Sequence, residues 1–553
     1  MYIPPQLLEQ LPLLALFVVP VVGAYYGLRT VNMKSAIHFQ QGTRGSSAWR
    51  AAVAMSILSM PSFVFWCLLM RGPSALAYQL GFSLAVMVVF SFVAGILHYV
   101  PSPSLFAYPQ LRFLSSNIRL ALSTLQTLVT VLCIVLILLH CSTLLASVSI
   151  FSPYLCIALS AFFPLFGVVF TGYSGIMTPT LVLHMFCILF GAGVFICFGI
   201  KDAASFRTIV PFEFSLTDSL TSLCVGFVVS LYQLTSSPLQ YQAYFPIPTL
   251  YKLRLTLAFH GVFQLFSSIL IFLTISLFFA FMEQRCTLPF SYKSFFQFVR
   301  HTVPHPALAY AFAVSVLTMF MFSIQWLYVC ITTHVWEEFV KAHLRELSTM
   351  KQLCCVQSLL LVVCAVSVVL VSVIQFVQFP YDLLTPFIMI TILTFCGAMC
   401  GVFVCGYFIP FSNSKGAITS LIITTLLSIG FFFLFASNNQ LPTIKNSCAV
   451  EIPRNTTLAI RSFNLEKVMM VASHIPLQSH PIIAFLVSIV LCPIVSLFTG
   501  GQDQMGLDWN LVVIPCFGTF GGRSHYSKRP FVESESFRYA QHNAGPGLLK
   551  SHR

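Results

Sequence analysis

The residues with most scope for chemistry lie at two breaks in apolar stretches. "AAVAMSILSMPSFVFWCLLM" (51–70) carries Pro61 in its middle, flanked by Ser59 and Ser62. Proline lacks an N–H and its ring crowds the preceding turn, so it frees main-chain carbonyls around Ile57–Pro61. "SLTSLCVGFVVSLYQLTSSP" (219–238) carries Gly226 mid-run and a Ser-Ser-Pro exit. Carbonyls and hydroxyls are groups that bind a cation or polar solute inside a membrane. Interrupted helices at matching places in two halves point to a transporter built from inverted repeats. Single Pro and Gly residues are also common in membrane helices as simple kinks, and the spacing leaves both readings open.

Other chemistries have less to work with. No acidic residue lies in the middle third of an apolar run; Asp218, Glu283 and Asp382 sit at run ends. This argues against proton relays, which need buried carboxylates. A hydrolase at membrane depth needs a nucleophile with a base, or a metal-ligand pair. His184 and His260 lie in apolar runs, each flanked by apolar residues, which fits a hydrogen-bonded structural histidine. The 18 cysteines fall almost entirely inside the runs and show no CxxC or His/Cys pattern of zinc spacing. Cys354 and Cys355 are adjacent, and Cys396, Cys400 and Cys405 lie within one run. The chain reads as a non-enzyme without an organic cofactor.

Composition says what must position such residues. Of 553 residues 58% are hydrophobic and 8% charged, with mean hydropathy +0.89. A soluble domain carries about 25% charged residues. Uncharged runs of about 20 residues recur, each long enough to cross a hydrocarbon core of about 30 Å. In lipid the backbone must satisfy its own polar groups, so the runs are expected to be helices. The chain reads as an all-α polytopic membrane protein of about thirteen spans: 10–28, 51–70, 79–99, 120–146, 149–170, 177–200, 218–236, 254–282, 307–333, 353–379, 384–409, 417–437 and 478–499. Glu9 before the first run, with no basic segment or small-residue cleavage site, argues for a span rather than a signal peptide.

Basic residues set the orientation. Arg29, Lys34, Arg44 and Arg50, then Arg112 and Arg119, Lys252 and Arg254, Lys341, Arg345 and Lys351, and Lys415 fall in alternate loops, and the tail adds more. The positive-inside rule makes these loops and the tail cytoplasmic, with the N-terminus extracellular. The sequon Asn455-Thr456-Thr457 falls in an extracellular loop by the same count, making Asn455 a glycosylation candidate. Cys286 and Cys448 are the two cysteines in extracellular loops of any length, a candidate disulfide in an oxidising compartment. The net charge of +13 is thus a topology signal; no aromatic-interleaved basic patch suggests nucleic acid.

Several segments, in order, resemble the sodium/solute symporter family, nearest its monocarboxylate, multivitamin and iodide branch. They are "VVFTGYSGIMTPTLVLHMFCILFGAGV" (168–194), "LQYQAYFPIPTLYKLRLTL" (239–257), "ITTHVWEEFVKAHL" (331–344), "GYFIPFSNSKGAITSLIITTLLSIG" (406–430) and "SLFTGG" (496–501). The resemblance runs over nearly the whole chain. It implies a LeuT-like fold of five plus five helices in inverted repeat, 51–200 and 201–409, the paired interruptions at Pro61 and near Gly226 marking the two halves. Flanking them would be an N-terminal end, first span and basic loop (1–50), two peripheral spans (410–499) and a cytoplasmic tail (500–553).

The resemblance also implies a sodium site from the carbonyls of Leu58, Pro61 and Met319 and the hydroxyl of Ser323. Ser59, Ser62, Gly226 and Gln325 are its candidates for the solute cavity. Phe322 stands where the family has a second hydroxyl, Gln325-Trp326 where it has a serine pair, Val329 where it has asparagine, and Ala243 where it has arginine. Two functions follow. One is sodium-coupled uptake of a small organic anion or similar solute at the plasma membrane, by a monomer or loose dimer in contact with lipid. The other is a sodium-independent or non-transporting relative with a degenerate ion site. The turn "PFSNSKGA" (410–417) is read as a cytoplasmic hairpin: Pro410 ends a helix, Ser412 or Asn413 caps the next, and Gly416 permits close packing.

Overall fold

Apolar runs that must satisfy their own backbone polar groups fold as helices, and the computed structural model shows them so. It describes residues 13–30, 35–41, 47–69, 74–202, 216–285, 296–377, 381–437, 479–502 and 507–513, apart from short gaps. The helices are α1 (Ala15–Thr30), α2 (Ala36–Gln41), α3 (Ala48–Leu69), α4 (Ser74–Tyr99, through a π turn at Val89–Val93), α5 (Ala107–Phe113), α6 (Ser116–Val148), α7 (Pro153–Val169), α8 (Gly172–Ile176) and α9 (Thr180–Asp202). They continue with α10 (Leu216–Thr235), α11 (Pro238–Tyr244), α12 (Leu250–Arg285), α13 (Pro306–Val335), α14 (Thr349–Val377), α15 (Tyr381–Phe408), α16 (Ser414–Ser437) and α17 (His480–Phe498). Each of the thirteen apolar runs overlaps a helix among the described residues, but fewer have the length and hydropathy of a span. Among the described residues eight helices are long and apolar enough to cross a membrane, and the bent pair α10–α11 makes a ninth. The protein is a multi-pass helical membrane protein. Asn455, Cys286 and Cys448 lie outside the described residues.

Helix pairing repeats itself with partners exchanged. α3 packs on α12, and α10 on α4. α6 packs on α15, and α13 on α9, while α6 and α13 pack on each other. This exchange is the pattern expected of two five-helix halves, α3–α9 and α10–α15. The interruptions read from the sequence are placed differently. α3 is helical throughout 55–65, Pro61 included, and α10 is helical through Gly226. The break in the second half comes at Ser236-Ser237, where α10 and α11 meet at 54°. There Pro238 follows Ser237, whose hydroxyl caps α11 by accepting from the Leu239 N–H. Gly226 serves a close crossing: a Cβ on it would stand 2.7 Å from Cα and C of Tyr78 in α4, and one on Gly81 would stand 2.9 Å from the carbonyl carbon of Gly226. Small residues let membrane helices approach this way.

The hairpin at 410–417 takes the expected form, with Asn413 as cap: its Oδ1 accepts from the Gly416 N–H at 2.8 Å. Its Nδ2 donates to Thr499 Oγ1 at 2.8 Å, joining the turn to "SLFTGG" after α17. Arg112, read as a topology signal, also does structural work. It is fully buried, with Nε donating to Gly406 O at 2.8 Å and Nη2 to the carbonyls of Ile409 (2.8 Å) and Pro410 (3.0 Å). A cation here satisfies carbonyls that the end of α15 leaves open and complements the helix dipole. Burial lowers its pKa from the ordinary arginine value, against a raising influence of Tyr108. On "VWEEF", Glu338 accepts from Arg119 Nε at 2.7 Å and is bonded by the Ser104 hydroxyl, tying the end of α13 to α6. Glu337 pairs with Lys341 one turn on.

Candidate functional site

α3 separates two cavities. Leu58, Ser59, Pro61, Ser62, Phe65 and Trp66 present one face to a central cavity of about 120 Å³, which α4, α6, α10, α11, α13 and α15 complete. Met60, Val64 and Leu68 present the opposite face to a second cavity of about 90 Å³, closed by α9, α12 and α13. The spacing 58, 61, 62, 65 against 60, 64, 68 is that of two helix faces.

The wall of the central cavity is mainly apolar, with a set of uncharged polar side chains and no charged one among the residues that line it. Tyr232 Oη donates to Gln126 Oε1 at 2.7 Å, Gln126 Nε2 donates to Thr130 Oγ1 at 3.1 Å, and Thr130 donates to Gln126 O at 2.8 Å. Gln233 Nε2 donates to Ser62 Oγ at 3.3 Å. Ser59 Oγ donates to Met55 O at 3.0 Å and accepts from Gln240 Nε2 at 3.3 Å. The bend after Thr235 brings Gln240, on α11, beside α3.

The residues singled out from the sequence are divided by this geometry. Leu58, Pro61, Ser59 and Ser62 line the central cavity; Met319 lines the second. Ser323 lines neither, is fully buried, and donates to Met319 O at 3.1 Å, the bond of a helix hydroxyl to the carbonyl one turn back. Phe322 packs edge-on against His184 (ring centroids 5.1 Å apart) and beside Trp326. Gln325 lies against Gly167 of α7, and neither it nor Gly226 lines the central cavity. His260 differs from expectation: it is buried edge-on against Phe82 (5.2 Å), and neither ring nitrogen has a hydrogen-bond partner. Sequence reading missed Gln126, Tyr232, Gln233 and Gln240. The last two flank the Ser-Ser-Pro exit, the one signal that could have found them. No group of three His, Cys, Asp or Glu residues suited to a metal ion occurs among the described residues.

No family model matches the chain, and no curated protein does. Among solved structures, a Na+-coupled sialic acid symporter in its substrate-bound outward-open state is similar with a TM-score of 0.67, at 15% identity, over 89% of this chain and 98% of that one. A manganese transporter from Eremococcus coleocola, as a mutant and in complex with an aromatic bis-isothiourea compound, gives TM-scores of 0.46 and 0.45 at 12% and 13% identity. These cover 84% and 85% of this chain and 98% and 97% of theirs. The first similarity, spanning nearly both chains, shows that this protein shares the fold of that symporter.

Proposed function

We propose that the protein is a secondary transporter, a divergent member of the sodium/solute symporter family, carrying a small solute through the central cavity by alternating access. The observation that carries this reading is the cavity itself: uncharged, mainly apolar with a few hydrogen-bonded polar side chains, and walled by helices of both halves of a transporter fold. Its N-terminus is outside and its tail inside, as the basic loops indicate. Sodium is the coupling ion in this reading, with the carbonyls of Leu58, Pro61 and Met319 and the Ser323 hydroxyl as the ligands the family resemblance implies; the structure does not gather them about one cavity. The Ser323 hydrogen points to Met319 O, which leaves the hydroxyl lone pairs for a cation.

One observation favours a second reading, a sodium-independent carrier. With α3 helical through 55–65, the N–H groups four residues on, at Ser62 and Phe65, stand in register for the carbonyls of Leu58 and Pro61. The proline frees only Ile57 O. The test is uptake into proteoliposomes of labelled monocarboxylates, vitamins, iodide and sugars, with sodium or choline outside. Uptake that needs sodium supports the first reading, and equal uptake in choline supports the second. Protein-loaded liposomes that accumulate nothing above empty ones, across the panel, contradict both.

A further inference from the structure

The second cavity differs in kind from the central one. Of the side chains that line it, only Ser267, Thr274 and Ser315 carry a polar N or O atom. Each gives its hydrogen to a carbonyl of its own helix: Ser267 Oγ to Phe263 O at 2.7 Å, Thr274 Oγ1 to Leu270 O at 2.8 Å, and Ser315 Oγ to Phe312 O at 2.7 Å. All three residues are buried. The lining side chains therefore offer no free hydrogen-bond donor and no charge. A buried water needs about two to four polar partners, and an apolar cavity without them stays dry and takes apolar guests.

The surroundings say where a guest comes from. Met60, Val64 and Leu68 of α3 and Met319 and Phe320 of α13 form the inner wall. α9 and α12, which pack on each other, supply Leu189, Ala192, Leu270 and Ile271, all half-buried. Their neighbours on the same two helices, Phe186, Phe190, Ile269 and Leu273, are exposed, and lipid tails are as apolar as such side chains. The α9–α12 wall is thus the one between the cavity and the bilayer. A void leaves its lining atoms without partners on one side, so a guest of matching size gains dispersion contacts with each of them.

We propose that this cavity of about 90 Å³ is a binding site for a small, uncharged, apolar molecule that enters from the bilayer between α9 and α12. A guest with a hydrogen-bond acceptor and no donor, such as an ether, leaves that acceptor buried and unpaired, and an ion is excluded more strongly still. Seated there, the guest rests on the face of α3 opposite the one that lines the central cavity, and braces α3 against α13. Binding requires neither sodium nor a transported solute.

Xenon tests the site by position: crystals of the full chain are pressurised with the gas and its anomalous signal is located. Cyclopentane against tetrahydrofuran, which replaces one CH2 by an ether oxygen, tests the chemistry through thermal unfolding of the full chain in nanodiscs. The expected results are a xenon peak between Val64, Ala192 and Met319, and stabilisation by cyclopentane at concentrations at least tenfold below those tetrahydrofuran needs. Ala192→Leu fills the cavity from α9 and should abolish both the peak and the stabilisation. Val64→Leu fills it from α3 and takes its place where the first variant does not fold. Absence of xenon from the cavity, ordered water inside it, or equal stabilisation by the two compounds overturns the inference. So does stabilisation that survives the filling substitution.

Discussion

Replacing Gly226 by alanine tests whether this glycine is a contact or a hinge. Its Cβ would stand 2.7 Å from Cα and C of Tyr78, whereas ordinary contact begins near 3.4 Å, so α4 and α10 must part by at least about 0.7 Å (3.4 − 2.7). The obstacle is main chain on both sides, and no side chain can rotate away. Overpacking costs about 1–3 kcal/mol, and a backbone clash belongs at the upper end. Gly81→Ala opens the same crossing from the other helix, with a Cβ 2.9 Å from Gly226 C. Each variant should unfold in detergent at a clearly lower temperature than wild type. The double variant should lose less than the sum, because the first methyl has already made the gap. Gly95→Ala in α4 is the control: nothing lies within 4 Å of its added Cβ, and alanine gains up to about 1 kcal/mol in helix propensity. Wild-type stability for Gly226→Ala and Gly81→Ala, or strict additivity, would refute the close-crossing account.

Three further predictions concern the ends of the helices and the ion. Arg112→Met strips three carbonyls at 406, 409 and 410 of their donor and should destabilise by about 3 kcal/mol or more, with Arg112→Lys recovering only part because an ammonium cannot fork; thermal unfolding of both decides this. Glu338→Gln should destabilise by about 1–3 kcal/mol, and adding Arg119→Met should cost little more; a double-mutant cycle with no coupling would remove the pair from the account. If sodium is coupled through Ser323, Ser323→Ala should raise the sodium concentration for half-maximal uptake and Phe322→Ser should lower it; no change in either assigns Ser323 to its bond with Met319 alone.

The sequence made the helices legible because lipid leaves a long uncharged run one way to satisfy its backbone. The hairpin cap was legible for a similar reason: an Asn before Gly416 with a proline upstream has few alternatives. Gly226 misled because glycine has two uses in a membrane helix, bending it or letting another helix approach, and spacing does not distinguish them. Only the juxtaposition with Tyr78, 148 positions away in the chain (226 − 78), does so. Pro61 misled for another reason: losing one N–H frees one carbonyl while the helix continues around it. The polar side chains of the wall were illegible in part because Gln126 and Tyr232 lie in apolar runs far apart in sequence. The bend at Ser236-Ser237 places Gln240 beside Ser59, a contact across 181 positions. Arg112 looked like any cytoplasmic arginine until its three carbonyl partners were seen.

Access to Cys133, which lines the central cavity, tests the central claim most directly. In a chain keeping only that cysteine, a water-soluble, membrane-impermeant thiol reagent is applied to either face of the reconstituted protein, with and without sodium and solute. A chain whose only cysteine is introduced by Ala342→Cys, at an exposed position in the loop between α13 and α14, controls for reagent activity. The account predicts that Cys133 is reached from one face at a time, and that sodium or solute changes which face. Labelling of Cys133 from neither face under every condition, with the Ala342→Cys control labelled normally, would contradict it.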